Sequence, residues 1–246
     1  MVTPVRDVAL ALSFLTRVPT VVAHDRPAMA FWAFPLVGAA IGLAVGAVHA
    51  GLTSGLAADR WLAALLAVAF QVWLTRGLHE DGLADTADAM GARGDAAAAL
   101  AAMRDSRIGA FGVLALGLAT ALKVAALAAL PPSSALAMLA AAGAVSRAGF
   151  ALSLNRIAAA RPQGLAAAMG RPSIAVVMVA LASAVAIVWV SGAGVPAALA
   201  AALLGVHVTS AAGRRVGGLT GDVLGAQQQV VEVTFLVTAA LWLSRA

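Results

Sequence analysis

Cysteine is absent from this 246-residue chain. That excludes a disulfide framework and a thiolate metal site, and it leaves redox chemistry silent about the compartment. Charge is nearly as scarce: charged residues make up 11%, against 62% hydrophobic ones, and mean hydropathy is +0.96. No ordinary soluble domain is built this way. Long apolar stretches rich in Ala and Gly predict an all-α, polytopic membrane protein whose helices pack closely through small side chains. A net charge of +5, with no basic run and no aromatic-basic patch, argues against a nucleic-acid partner. No cleavable signal peptide is expected, because the first apolar stretch is short, carries Asp7 and ends at Arg17-Val18-Pro19.

About seven transmembrane helices are expected, near 28–53, 61–76, 109–130, 133–154, 173–192, 195–212 and 229–244. A short amphipathic helix over 5–18, anchored by Arg6 and Arg17, would lie at the interface before them. Pro131-Pro132 and the 191–194 stretch read as tight turns. With no internal repeat and no long linker, residues 1–246 form one domain. Basic residues divide unevenly among the connections. Arg6, Arg17 and Arg26 lie in the N-terminal arm, and Arg76, Arg93, Arg104 and Arg107 in or beside the 77–108 connection. Arg156, Arg161 and Arg171 lie in the 155–172 connection, Arg214 and Arg215 in the 213–228 one. The alternate connections hold only Arg60 and the C-terminal Arg245, while Lys123 and Arg147 fall within spans. The positive-inside rule then puts the arginine-bearing connections in the cytoplasm.

Acidic residues concentrate in one window: Glu80, Asp81, Asp85, Asp88, Asp95 and Asp105, out of 11 in the chain. On a helix Asp81, Asp85 and Asp88 stand within about 60° of one another, while Glu80 points roughly 100° away. For neighbours roughly 5.5 Å apart, each pair costs about 3 kcal/mol at an effective dielectric of 20, and only tenths of that on a wet helix. Either the stretch is a solvated acidic surface, or its carboxylates share a hard divalent cation, magnesium, with a substrate phosphate. Gly82, Ala84 and Ala87 favour the second reading, because small residues let a bulky ligand approach.

Asp105 sits between Arg104 and Arg107, just before Ile108-Gly109-Ala110-Phe111-Gly112. This is either an interfacial charge belt or a phosphate-holding pair of guanidiniums beside a helix N-terminus that favours anions. The stretch Arg214-Arg215-Val216-Gly217-Gly218-Leu219-Thr220-Gly221-Asp222-Val223-Leu224-Gly225 suits a phosphate or metal–phosphate site, or simply sets the angle between two spans. His79 is either a hydrogen-bonded structural residue or a general base or phosphate ligand. A zinc-protease motif fails, because Leu83 stands three after Glu80. His49 and His207 read as packing or helix–helix hydrogen bonding. Arg147, charged near a span centre, is costly and expected to face a cavity. Lys123 would snorkel or face the interior.

Three blocks make the chain recognisable: His79-Glu80-Asp81-Gly82-Leu83-Ala84-Asp85-Thr86-Ala87-Asp88, Met103-Arg104-Asp105-Ser106-Arg107-Ile108-Gly109-Ala110-Phe111-Gly112, and Gly217 to Ala226. With the opening Phe14-Leu15-Thr16-Arg17-Val18-Pro19 they closely resemble the cobalamin synthase family, also called the adenosylcobinamide-GDP ribazoletransferases. The blocks run in family order over nearly the full length. The resemblance implies an integral enzyme of the bacterial cytoplasmic (inner) membrane with Mg2+ as cofactor. It implies that adenosylcobinamide-GDP reacts with alpha-ribazole or its 5'-phosphate, giving adenosylcobalamin or its 5'-phosphate and GMP. Two positions depart from the family pattern: Ala89-Met90 follow the last Asp, and Gln229 stands where an acid is common.

Together with the residue reading, this assigns catalysis to His79, Asp81 and Asp85. Substrate contacts fall to Arg104, Arg107, Arg147, Arg214, Arg215 and Thr220, and metal binding to Asp81, Asp85, Asp88, Asp105 and Asp222. Membrane lipid is the other expected partner, and a homo-oligomer is left open. Rival readings are a CDP-alcohol phosphotransferase, whose D-G-x-x-A-R signature fails at Asp85, a prenyltransferase, and a cation-coupled transporter, whose charges belong at mid-span.

Overall fold

The computed structural model describes residues 4–20, 27–192 and 194–244. Arg26 and Arg245 of the charge count, and Ala193 of the second turn, lie outside them. Among the described residues every element is a helix: α1 (Pro4–Leu15), α2 (Phe34–Ala50), α3 (Arg60–Thr75), α4 (Leu78–Gly91), α5 (Ala96–Ala102), α6 (Ala110–Ala129), α7 (Pro132–Arg156), α8 (Leu165–Met169), α9 (Ile174–Val190), α10 (Val195–Val216) and α11 (Gly221–Leu243). A 3-10 turn over Pro27–Ala33 leads into α2, and a π turn over Gly51–Gly55 leaves it.

Helix α7 is the axis of the bundle, packed by α2, α9, α10 and α11. It starts on Pro132, whose fixed φ suits a first helical position, with Pro131 as the extended residue before it. Gly38, Gly42 and Gly46 form one stripe of α2, and α7 lies directly on it. A Cβ on Gly38 would strike the Gly143 carbonyl, one on Gly42 the Leu139 carbonyl, and one on Gly46 would sit 2.8 Å from the Leu136 Cα. Close backbone approach through small residues is how apolar helices associate where lipid removes the hydrophobic drive.

Among the described residues, four segments are long and apolar enough to cross a membrane: Pro27–Gly55, Ala110–Ala129, Pro132–Arg156 and Val195–Val216. A fifth arises if α3 and α4, bent by 90°, count as one. The protein is therefore polytopic and helical. The expected seven segments all appear as helices, but α9 is shorter and the start of α11 carries Gln227, Gln228, Gln229 and Glu232.

The polar connections also differ from expectation. The 77–108 stretch contains α4 and α5, the 155–172 stretch contains α8, and α10 and α11 lengthen until only 217–220 separates them. Hydropathy misses α5 and α8 because they are short, and α4 because its acidic residues lower its hydropathy while its other face packs on the bundle. His49 is fully buried without a hydrogen-bond partner and His207 faces outward, so neither bridges helices.

Candidate active site

Residues 76 and 77 turn the chain from α3 into α4. Both are left-handed, Arg76 at φ 62° and Gly77 at φ 66°. A non-glycine residue there is strained by roughly 1 kcal/mol, and the Arg76 guanidinium offsets this by donating to the Ser13 and Phe14 carbonyls at 3.2 and 3.1 Å. The bend lays α4 across the end of the bundle. There it meets α11 backbone to backbone: a Cβ on Gly82 would sit 2.8 Å from the Asp222 carbonyl and 3.1 Å from the Gly225 Cα. The 157–160 strand-like segment is stapled to the 217–220 turn, Leu219 N–H donating to Ala158 at 2.8 Å and Ala160 N–H to Leu219 at 2.9 Å. Gly218 is obligatory there, with φ 152° and no room for a Cβ beside Ala160.

These contacts bring the three sequence blocks to one end. Asp81 and Asp85 line an open basin of about 760 Å3, bordered by Glu80, Arg76, Arg104, Asp105 and Ser106. Burial, then the charges of Asp81, Asp222 and Asp88, push the Asp85 carboxyl up to about 6. Asp222, with its backbone on Gly82, feels Arg161 and Asp81. Arg161, the residue after the 157–160 staple, is a cation of the site that the sequence leaves unassigned. His79 lies on the other side of Asp81, buried and stacked on Phe150 with ring centroids 6.1 Å apart. Burial, then the positive charge of Arg147, keeps its imidazole neutral, well below the usual range. Its Nε2 has no partner.

Several expected ligands have other work. Asp88 accepts from the Gly109 N–H at 2.7 Å and the Gly112 N–H at 2.9 Å, so the anion at the N-terminus of α6 is the chain's own carboxylate. The two glycines are needed because a Cβ on either would collide with that carboxylate. Asp105 holds Arg107 at 2.7 Å, on a surface where Arg107 is 87% exposed, and that partner draws the Asp105 carboxyl down to about 2. Arg215 donates to the Asp95 and Ala92 carbonyls at 2.8 and 2.6 Å, clamping the α4–α5 connection rather than reaching for phosphate. Thr220 is buried; its oxygen accepts from the Val223 N–H at 3.2 Å, capping α11, and its hydroxyl donates to the Met103 sulfur at 3.8 Å. Arg214 is exposed and lies outside the basin lining.

Arg147 is likewise engaged within the chain. It pairs with Glu232 inside the bundle, and Lys123 reaches the same carboxylate at 2.9 Å. Gln71 and Gln228 each donate to Glu232 at 2.6 Å. From Lys123 the chain of contacts continues to Gln229 at 3.1 Å, and the Gln229 amide donates to Glu80 at 2.8 Å. Sequence reasoning passed over Glu232, although two cations within spans required an acidic partner. Gln229, noted as a departure, is the link that joins α4 to this buried network.

Among the described residues no group of three or more His, Asp or Glu side chains stands ready as a metal site. Magnesium is commonly held by one or two carboxylates with substrate phosphates and water completing the shell. Asp81 and Asp85 meet that lesser requirement. Burial, and after it the neighbouring carboxylates, hold the Asp85 carboxyl up to about 6, so added positive charge would be favourable there.

The model of the cobalamin-5-phosphate synthase family matches residues 7–240. Relatives named adenosylcobinamide-GDP ribazoletransferase include those of Sinorhizobium medicae, 41% identical over 96% of both chains, and Bradyrhizobium diazoefficiens, 39% identical over 96% of this chain and 94% of its own. The Azorhizobium caulinodans relative of the same name is 41% identical over 96% of both. No solved structure matches. A family match across almost the whole length, with relatives about 40% identical over nearly all of both chains, leads to one conclusion: this chain belongs to the cobalamin-5-phosphate synthase family.

Proposed function

We propose that the basin bordered by Asp81, Asp85 and Arg104 is where this chain, an adenosylcobinamide-GDP ribazoletransferase of cobalamin biosynthesis, performs its reaction. The observation that carries this is the pairing of an open acidic basin with a carboxyl lifted to about 6 in it. Such a basin repels a diphosphate unless a cation joins it.

Asp81 and Asp85 would hold magnesium, which when bound supplies positive charge to the diphosphate of adenosylcobinamide-GDP. Arg104, on the basin rim, orients the phosphate oxygens. A ribose hydroxyl of alpha-ribazole, or of its 5'-phosphate, forms the new bond to the phosphorus that carries the cobinamide. The bond from that phosphorus to the GMP oxygen breaks, and GMP leaves. The hydroxyl proton passes to the neutral His79 Nε2, which nothing else in the structure occupies.

The rest of the chain frames this site as one domain. Seven spans, with α1 at the interface, accommodate the exposed Trp61, Trp189 and Trp242, which gather at the end opposite the basin. The basin end faces the cytoplasm in this reading, because Arg17, Arg76, Arg104, Arg107, Arg161, Arg171 and Arg214 gather there. Purified protein in detergent, given both precursors and magnesium, should release GMP. Asp81→Asn should abolish that release, and full activity in this variant would remove the basin from the chemistry.

A further inference from the structure

We propose that the acceptor nucleoside docks on the opposite side of Asp81 from the diphosphate, its planar base held in an aromatic slot between α1, α8 and the start of α4. This rests on the reaction assigned above. Leu78 and Asp81 form a wall shared by two cavities: the acidic basin, and a slot of about 60 Å3. Phe14, Phe31, Phe150, Leu165 and Met169 line the slot. Its polar groups are His79, Asp81 and Asp222.

His79 is 3% exposed and its Nε2 is unpartnered, an unfavourable arrangement that a ligand would complete. The aromatic walls are themselves braced, Phe31 on Phe34 at 4.5 Å and Phe34 edge-on to Phe150 at 6.2 Å. Beyond Phe14, Leu165 and Met169 the slot meets a wider hollow of about 480 Å3 that reaches Arg76.

The chemistry of the slot selects its occupant. Ring faces and a methionine sulfur favour a flat aromatic heterocycle. Two carboxylates and a free imidazole nitrogen suit ribose hydroxyls and repel phosphate. An acyl chain would leave the His79 nitrogen unsatisfied. By itself 60 Å3 admits about two waters, so the base extends into the wider hollow past Leu165, which is 42% exposed at the shared rim. A ribose placed at Asp81 then presents its hydroxyl to the basin.

The test separates the two substrates. Leu165→Trp, which fills the rim, should raise the KM for alpha-ribazole tenfold or more and leave that for adenosylcobinamide-GDP within twofold. Free benzimidazole, added to the unaltered protein, should compete with alpha-ribazole and not with adenosylcobinamide-GDP. An unchanged KM for alpha-ribazole, or benzimidazole that competes with adenosylcobinamide-GDP or inhibits not at all, overturns the slot. If Leu165→Trp does not fold, the benzimidazole competition alone decides. Failure of the unaltered protein to turn over both precursors refutes the assigned reaction itself, a different result from either of these.

Discussion

If magnesium binds at Asp85, as proposed, a proton competes with it there, and that competition can be measured. The carboxyl sits near 6, against an ordinary value of 3.8. It is therefore about 99% ionised at pH 8, half ionised at pH 6 and about one-tenth ionised at pH 5. If magnesium needs the ionised form, its half-saturating concentration should rise about twofold from pH 8 to pH 6 and about tenfold by pH 5, a loss of about 1.4 kcal/mol. An Asp at its ordinary value would shift it by less than about a tenth over the same range.

Unfolding does not mimic this effect through Asp85. A raised carboxyl pKa means the folded state binds the proton more tightly, so this group stabilises the fold as pH falls through 6 and opposes it above. The substrate does not mimic it either, since a diphosphate esterified at both ends has no ionisation near pH 6, provided unphosphorylated alpha-ribazole is the acceptor. Initial rates of GMP release over a magnesium series at pH 5 to 8 give the slope. Asp85→Asn should bind magnesium more weakly and lose the drift. A wild-type half-saturation that is flat down to pH 5, or a drift retained in Asp85→Asn, would refute the reasoning.

Asp88→Ala should cost about 1 kcal/mol of thermal stability by uncapping α6, and at permissive temperature should retain far more turnover than Asp81→Asn. Equal inactivation at full folded content would return Asp88 to the metal. Glu232→Gln strands Lys123 and Arg147 without a counter-charge, and should cost about 3–5 kcal/mol, read as loss of monodisperse protein in detergent; normal yield and stability would contradict the buried network. The chain lacks cysteine, so Ala97→Cys and Gln163→Cys should label only from the cytoplasm and Ser54→Cys only from outside, with the reverse pattern inverting the topology. Gly42→Leu should unseat α2 from α7 and prevent folding, and a folded variant would show that the helices can part.

The helices were legible because apolar length and turn residues are local signals. Pro131-Pro132 marked the start of α7, and the charge-free stretches marked its neighbours. Asp81 and Asp85 were legible on one face because their spacing matches the helical repeat. Asp88 shares that spacing, yet its task depends on Gly109 and Gly112, which only the tertiary fold brings to it. The residue types of Thr220 and Arg215 suggest ligands, while their hydrogen bonds close within the chain, Thr220 on the Val223 N–H and the Met103 sulfur, Arg215 on two carbonyls. Glu232 stayed hidden because a lone acid in an apolar stretch has no pattern; its meaning comes from Lys123 and Arg147 on two other helices.

The same three charges set a schedule for how the chain enters its bilayer. Helices α6 and α7, carrying Lys123 and Arg147, are synthesised well before α11 brings Glu232. Until it arrives, each cation at a helix centre costs about 2.5–3.5 kcal/mol of insertion free energy. Lys123 and Arg147 must wait near an interface, or in contact with water, and can move inward only when the carboxylate arrives. Helix α11 then acts as a late clasp: it neutralises both earlier helices and, through Gln229 and Glu80, draws α4 down onto the finished bundle. Assembly of the acidic basin is thereby tied to completion of the membrane core, and a nascent chain interrupted before α11 would hold its acidic helix without the Gln229 contact.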